Sequence, residues 1–423
     1  MPGSMLALAI GSVLSRRLSL ALTVLTMALS VALFLSVERL RIAARDSFDG
    51  TISGVDVLVG ARGGELGLLL YTVFQIGDAA PSMRWSSFED LAEDDRVEWS
   101  VPISLGDSHR GYRVVATTSG FFDHVRTGRD RPLRFAASSG ERIDDVGVVV
   151  GAQVARDLNY GLGALIEIQH GLASAGDRSH RDSPLPVTGI LEPTGTPIDY
   201  SVFVSVRAFE ALHNGWRGSV PSKTALDVRT VDLADPAFTP SLITAVYVGM
   251  KSKRRIFQLV EDVEDYGPEP LTAVLPGVTL SQLWVLVGSA EQALQLLAIL
   301  IVVVALAGQI TLLLATLDLR RREIAIYRAL GAQPGLIGGL LVLEALVIGL
   351  IAAAVGLLLA IVGTALAGSV LGSVLKLDLG TTLLTPSQAL ALLAFIGVSA
   401  ASGVPAGLLA YRTSLQDGMR ARF

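Results

Sequence analysis

Four stretches of this chain constrain everything else about it: residues 18–37, 294–317, 336–367 and 389–411 are each long and almost wholly apolar. A hydrocarbon core about 30 Å thick takes roughly 20 residues of helix to cross. The first and fourth stretches hold no charged residue, the second has only Gln295 and Gln309 as strongly polar residues, and the third has only Glu344. Backbone left unpaired in lipid costs several kcal/mol per group, so each stretch must be helical rather than a loop. Composition agrees, because 51% hydrophobic and 17% charged residues over 423 positions lie outside the range of an ordinary soluble chain. The expected fold class is an α-helical membrane protein with four transmembrane helices.

Short loops rich in Lys and Arg stay on the cytoplasmic side. Arg16 and Arg17 precede the first stretch, Arg320, Arg321, Arg322 and Arg328 separate the second from the third, and Arg412, Arg420 and Arg422 follow the fourth. Burying the arginine triplet at mid-bilayer would cost about 8–10 kcal/mol. Both termini are therefore expected inside, with residues 40–293 and the short loop 368–388, which carries only Lys376 and Asp378, outside. The predicted order is a cytoplasmic segment (1–17), TM1 (18–39), an outer domain (40–293), TM2 (294–317), a cytoplasmic helix (318–335), TM3 (336–367), the loop 368–388, TM4 (389–411) and a tail (412–423). Residues 6–13 suggest a short helix along the inner surface, and Met5 is the expected natural start. A secretory signal reading of the first stretch is set aside: a signal h-region is about 7–15 residues, and its removal would leave one terminus on the wrong side.

Residues 40–293 read as a folded α+β domain. Strand-like runs rich in Val and Ile occupy 146–151, 164–169, 186–191 and 201–206, and helical spacing occupies 86–93, 152–158 and 207–213. Asp107 and His109 lie in a stretch, 106–111, that reads as a polar turn. The apolar run 66–74 is too short to cross a bilayer and reads as a helix packed on the domain or lying near the outer surface. His170 and His180, with Asp177 or Asp182, match no compact ligand spacing, so no metal site is expected. The chain has no cysteine, which excludes disulfides and thiolate chemistry, and its net charge of −5 gives no overall field that would draw it to nucleic acid. None of the four lysines, Lys223, Lys251, Lys253 and Lys376, follows a phosphate-cradling loop, and neither a Gly-x-Ser-x-Gly elbow nor a His-Glu-x-x-His helix occurs. A non-catalytic chain is expected, with no cofactor of its own.

Several segments carry a family resemblance. Val148-Val149-Val150-Gly151, Val154-Ala155-Arg156, Tyr160-Gly161-Leu162-Gly163 and Val187-Thr188-Gly189-Ile190-Leu191 follow in an order similar to the periplasmic domain of MacB-like and FtsX-like ABC transporter permeases, the superfamily that includes LolC and LolE. Arg321-Arg322-Glu323-Ile324-Ala325-Ile326-Tyr327-Arg328-Ala329-Leu330-Gly331-Ala332 resembles the cytoplasmic segment between the second and third spans of that family. Pro405-Ala406, Tyr411-Arg412 and residues 415–420 resemble its closing motif.

The resemblance implies a one-plus-three helix layout with the MacB-like domain inserted between the first and second helices, in a bacterial inner membrane. It implies a separate ATP-binding subunit that holds ATP and Mg²⁺ and pushes on a coupling helix bearing Arg320, Arg321, Arg322, Glu323, Ile324, Tyr327, Arg328, Leu330 and Gly331. On residues alone, the same segment also reads as a solvated loop that anchors topology. Motion relayed to the domain would serve export or extraction of a lipid, lipoprotein, peptide or hydrophobic small molecule. The alternative is an FtsX-like signalling scaffold that regulates an outer partner such as a cell-wall hydrolase. A permease dimer, homodimeric or with a related chain, a periplasmic adaptor or substrate-binding protein, and membrane lipids are further expected partners. Glu344 is the intramembrane polar candidate, and Gly349, Ala353, Gly356 and Gly363 are the candidate helix-packing residues.

Overall fold

The computed structural model describes residues 17–77, 79–128, 130–136, 146–170, 183–214, 216–217, 220–221, 227–329, 331–375 and 384–410. The chain divides into two compact units, one formed by residues 1–43, 288–372 and 379–423, the other by 44–287 with 373–378. Helix α1 (Arg17–Thr51) precedes α2 (Glu65–Thr72), α3 (Trp85–Ala92), α4 (Gly120–His124), α5 (Ala152–Asp157), α6 (Val206–His213) and α7 (Ile256–Glu264). Three long helices complete the chain: α8 (Pro276–Ala329), α9 (Pro334–Leu375) and α10 (Pro386–Ala401).

The second unit is built on one mixed sheet. Its strands are β1 (Val57–Ala61), β2 (Val97–His109), β3 (Tyr112–Thr117), β4 (Val148–Val150), β5 (Leu165–Ile166), β6 (Gln169–His170), β7 (Leu185–Ile190), β8 (Ser201–Ser205), β9 (Ala245–Met250) and β10 (Leu271–Val274). They lie in the order β10-β1-β9-β2-β3-β8-β4-β7-β5, with β6 added to β2. Pairing is antiparallel except for β8 with β3 and β7 with β4.

Both faces of the central strands are covered, which explains their nearly continuous Val and Ile runs. Successive residues enter different cores: Leu58, Val149, Phe203 and Tyr247 join one cluster with Phe121 and Phe122 of α4. Their neighbours Val148, Val150, Val202 and Val204 join a second cluster with α5 and α6. Val57, Val59, Val246 and Val248 join a third, closed by Leu91 of α3 and by Leu259 and Val263 of α7. The four strand runs and three helices expected from the sequence are present. Residues 66–74 fall largely in α2, whose Leu68, Leu69 and Tyr71 are buried in the first core, so the run packs on the domain.

The polar turn expected at 106–111 is a correction. Asp107 and His109 lie inside β2 and are buried; the turn itself is only Arg110 and Gly111. Both of these have positive φ, +48° and +89°, the backbone that joins twisted strands through two residues. Between Leu105 and Ser108 the register slips by one residue, and this bulge lets Asp107 pair with His170 of β6. A left-handed conformation is costly for Arg110, so Arg110→Asn should stabilise the chain by about 1 kcal/mol, read as a higher denaturation midpoint.

Among the described residues, four helical stretches are long and apolar enough to cross a membrane: Leu18–Asp46, Pro276–Leu317, Gly335–Leu366 and Pro386–Ala410. The expected TM2 (294–317) and most of the helix expected over 318–335 lie in one continuous helix, because α8 is unbroken from Pro276 to Ala329. Residues 278–329 contain no proline, so hydropathy marked only the lipid-compatible middle of a longer helix. The chain turns at Gly331, with φ +89°, and Pro334 opens α9. Thr385 and Gln388 form a reciprocal cap that starts α10 before the expected residue 389. Pro405 lacks an N–H and crowds the carbonyl four residues back, which accounts for the interruption at Ser402 before helix resumes over 403–410. The inner-surface helix expected at 6–13, most of the loop 368–388 and the tail 412–423 lie outside the described residues.

Candidate functional site

A glutamine amide in an apolar helix must find partners inside the bundle. Gln309 of α8 is 0% exposed, and its Nε2 donates to the carbonyl oxygen of Ala345 in α9 at 3.1 Å. Ser399 of α10, also 0% exposed, has its Oγ 3.0 Å from both Gln309 Oε1 and that same carbonyl. One polar node thus ties three helices together.

Small residues bring the helices close enough to form it. A methyl group on Gly349 would sit 2.3 Å from Ser399 Oγ. On Gly356 it would meet the Ala28 carbonyl oxygen at 2.7 Å, so α1 and α9 touch backbone to backbone. Gly403 faces Val342 Cα at 2.7 Å and the Leu341 carbonyl oxygen at 2.8 Å, and Gly407 faces Gly338 Cα at 3.1 Å, again measured from an added methyl. Ala353 is buried in the adjoining cluster with Met27, Val31 and Leu35. Gly363 is exposed, and a methyl there meets no described atom within 4 Å, so it packs against no described helix of its own chain.

Glu344 is only 5% exposed and immediately precedes the carbonyl that Gln309 and Ser399 share. It faces the bundle interior, as an ionisable residue in an apolar span is expected to. At the opposite ends of these helices a second polar group forms. Arg41 Nη2 lies 2.6 Å from Glu38 Oε1, its Nε lies 3.2 Å from Glu291 Oε1, Gln295 Nε2 donates to Glu38 at 3.3 Å, and Arg39 Nη1 donates to Thr364 at 2.9 Å. This group joins α1 to α8 and α9.

The segment after TM2 is the last three turns of α8. Ile324 is half-buried against Leu313, Leu317, Ile337, Leu341 and Ala410, while Ile326 is exposed. Side chains of Arg320, Arg321, Arg322, Glu323, Tyr327 and Arg328, and the whole of Leu330, lie outside the described residues.

The family model described as the MacB-like periplasmic core domain matches residues 20–266, and the one described as the FtsX-like permease C-terminal matches residues 296–415. The chain belongs to the MacB/FtsX-type ABC transporter permeases. The permease is thus a multi-pass membrane protein of a generally non-catalytic class that works with ABC ATPase subunits. Solved structures similar to it include the periplasmic region of MacB from Actinobacillus actinomycetemcomitans, at 11% identity and TM-score 0.32, covering 56% of this chain and 96% of that one. The extracellular domain of the noncanonical ABC-type transporter YknZ from Gram-positive bacteria is similar at 14% identity and TM-score 0.30, covering 52% of this chain and 99% of that one. No curated protein matches the sequence.

The MacB-like domain of the permease holds two histidines whose titrations have opposite consequences. His109 is buried with Nδ1 2.6 Å from the Glu167 carbonyl oxygen and Nε2 2.9 Å from Tyr160 Oη; burial lowers its pKa, outweighing the hydrogen bond to the Glu167 carbonyl. His213 is half-buried with Nε2 3.3 Å from Asp107 Oδ2 and Nδ1 2.6 Å from the Phe209 carbonyl oxygen. Burial opposes its charge as well, but the hydrogen bond and charge of Asp107 prevail and its pKa is raised. A raised histidine stabilises the fold below the unfolded value of about 6.5 and loses that contribution as pH rises through the folded value; a lowered one is lost as pH falls. In melts of the full chain in detergent, His213→Gln should therefore remove stability at pH 5.5 and spare it at pH 8, and His109→Gln should flatten the loss on acidification. Identical pH profiles for wild type and His213→Gln would overturn the assignment. The side chain of His170, and His180 altogether, lie outside the described residues; among the described residues no cluster of three His, Asp or Glu is placed to hold a metal ion.

Proposed function

We propose that this permease relays the closure of a separate ATP-binding subunit, on the cytoplasmic side of a bacterial inner membrane, to the domain 44–287 outside it. The observation that carries this reading is α8, unbroken over 54 residues from Pro276, which follows the domain strand β10 closely in sequence, through the basic stretch Arg320–Arg322 to Ala329. At 1.5 Å per residue such a helix is about 80 Å long, and it bends far less readily than a jointed connection. Gln309 and Ser399 support mechanotransmission over a through-membrane pore, because they spend their polar groups on one another and on a helix carbonyl rather than lining a water path. Both termini are inside on this reading, and the permease acts as a dimer with an adaptor or substrate-binding protein outside. Cargo is taken from the outer leaflet or the periplasm as a lipid, lipoprotein, peptide or hydrophobic molecule.

The test is purification of the full chain in mild detergent from its native membrane, with mass spectrometry of what accompanies it and an ATPase assay. An ATP-binding cassette subunit whose turnover responds to cargo is expected. An ATPase with a bound outer protein and no cargo response would replace transport by the signalling-scaffold reading, and recovery of the chain with no ATPase would overturn both.

A further inference from the structure

Near the end of α1 the domain carries a cleft of about 820 Å³ whose lining includes Asp46, Gly50, Gly128, Arg131, Arg134 and Glu192. That volume falls within the range of small-molecule sites. Backbone hydrogen bonds fix its walls. Gly128 N donates to the Gly50 carbonyl at 2.6 Å, Glu192 N to the Arg134 carbonyl at 2.8 Å, and Ala136 N to the Ile190 carbonyl at 2.8 Å.

Phe135 and Leu191 form an antiparallel bridge, so Arg134 and Glu192 are direct cross-strand neighbours on one face. Such neighbours have Cβ atoms about 4.5–5.5 Å apart, within easy reach of an ion pair. They make none. Among the described residues, the side chains of Asp46, Arg131, Arg134 and Glu192 form neither ion pairs nor hydrogen bonds, although two carboxylates and two guanidinium groups line one cleft. Elsewhere in the domain close opposite charges do pair, as Arg96 does with Asp94 and Arg229 with Asp227. Charges of both signs held by a stitched backbone and left uncompensated suit a ligand that also carries both signs. Asp46 lies on the same helix, α1, as the uncharged stretch 18–37, nine residues past its end.

We infer that this cleft binds a phosphate–ammonium zwitterion of the phosphoethanolamine type. Arg131 and Arg134 take the phosphate oxygens, for which the planar guanidinium is suited, and Asp46 and Glu192 take the ammonium protons. A phosphoglycerol group leaves both carboxylates facing an anion, and a phosphocholine group offers them no N–H, so both are disfavoured. The inference goes beyond the permease reading and is measured without ATP or any partner.

The experiment uses the full chain in neutral detergent. Native mass spectrometry reads retention of added phosphatidylethanolamine, phosphatidylglycerol and phosphatidylcholine, and calorimetry reads soluble glycerophosphoethanolamine. Phosphatidylethanolamine should be retained at least tenfold over the other two; heat from the soluble compound would show that the headgroup alone suffices, and its absence beside selective lipid retention would show that the lipid is the ligand. Arg131→Gln with Arg134→Gln should lower retention about tenfold. Asp46→Asn with Glu192→Gln should erase the preference over phosphatidylglycerol while leaving binding of a phosphate. All four positions are exposed, so folding is unaffected. Equal retention of the three lipids by the wild type, or an arginine double variant that binds as the wild type does, overturns the inference.

Discussion

Gly403→Val is expected to destabilise the membrane unit by about 3 kcal/mol or more, at or beyond the upper end of ordinary overpacking. The reason is that its obstacle is backbone. An added Cβ at this position lies 2.7 Å from Val342 Cα and 2.8 Å from the Leu341 carbonyl oxygen, where carbon contacts relax only near 3.5–4.0 Å. Flexible side chains can swing aside; two helix backbones can only separate. Separation there also pulls Ser399, one helical turn away, from Gln309 and from the Ala345 carbonyl. The loss should appear as a lower melting temperature in detergent and a smaller monodisperse fraction. Gly363→Ala is the control. It meets no described atom, and replacing glycine within a helix should leave stability unchanged or raise it by up to about 1 kcal/mol. Equal melting of Gly403→Val and the wild type would show that the close approach does not hold the helices.

The contrast between these glycines shows what sequence could and could not reveal. Span number and order followed from hydropathy alone, since nothing else satisfies backbone in lipid. Helix ends did not, because hydropathy ends at the lipid boundary while α8 continues for as long as its residues tolerate helix. Small residues in TM3 were visible, but their facing partners were not: Gly349 and Gly356 meet Ser399 and Ala28, whereas Gly363, seven residues after Gly356, meets open space. Ser399, Gly403 and Gly407 recur every four residues in the fourth span, a small-residue stripe as legible in the sequence as the one in TM3. In the domain, strands with flanking Gly and Pro were readable. Asp107 and His109 were not, because polar residues between two glycines look like a turn unless the bulge in β2 and the partner His213 are known. The cleft residues fail for a similar reason: Arg134 and Glu192 are 58 positions apart and become neighbours only through the bridge at Phe135 and Leu191.

Reversing charge at the end of α8 should separate the two roles that this stretch was given from sequence. Arg321→Glu with Arg322→Glu is expected to reduce the amount of ATP-binding subunit recovered with the chain by at least tenfold. Each reversal replaces an attraction by a repulsion, and two together at about 1 kcal/mol or more each exceed the 1.4 kcal/mol that corresponds to tenfold. The prediction rests on Ile324, packed on the three-helix cluster with Leu317, Ile337 and Ala410, which fixes this end of the helix to the bundle. Arg254→Glu in the domain shifts net charge in the same direction by half as much, sits on an exposed side chain, and should leave recovery unchanged. Because arginines also set topology, orientation is read in the same variant. The chain has no native cysteine, so a single Ser414→Cys labelled from one side of the membrane reports the tail directly. Lost ATPase subunit with the tail still inside identifies the end of α8 as the docking element; a tail moved outside makes the arginines topological anchors, and full recovery with unchanged topology removes the coupling role altogether.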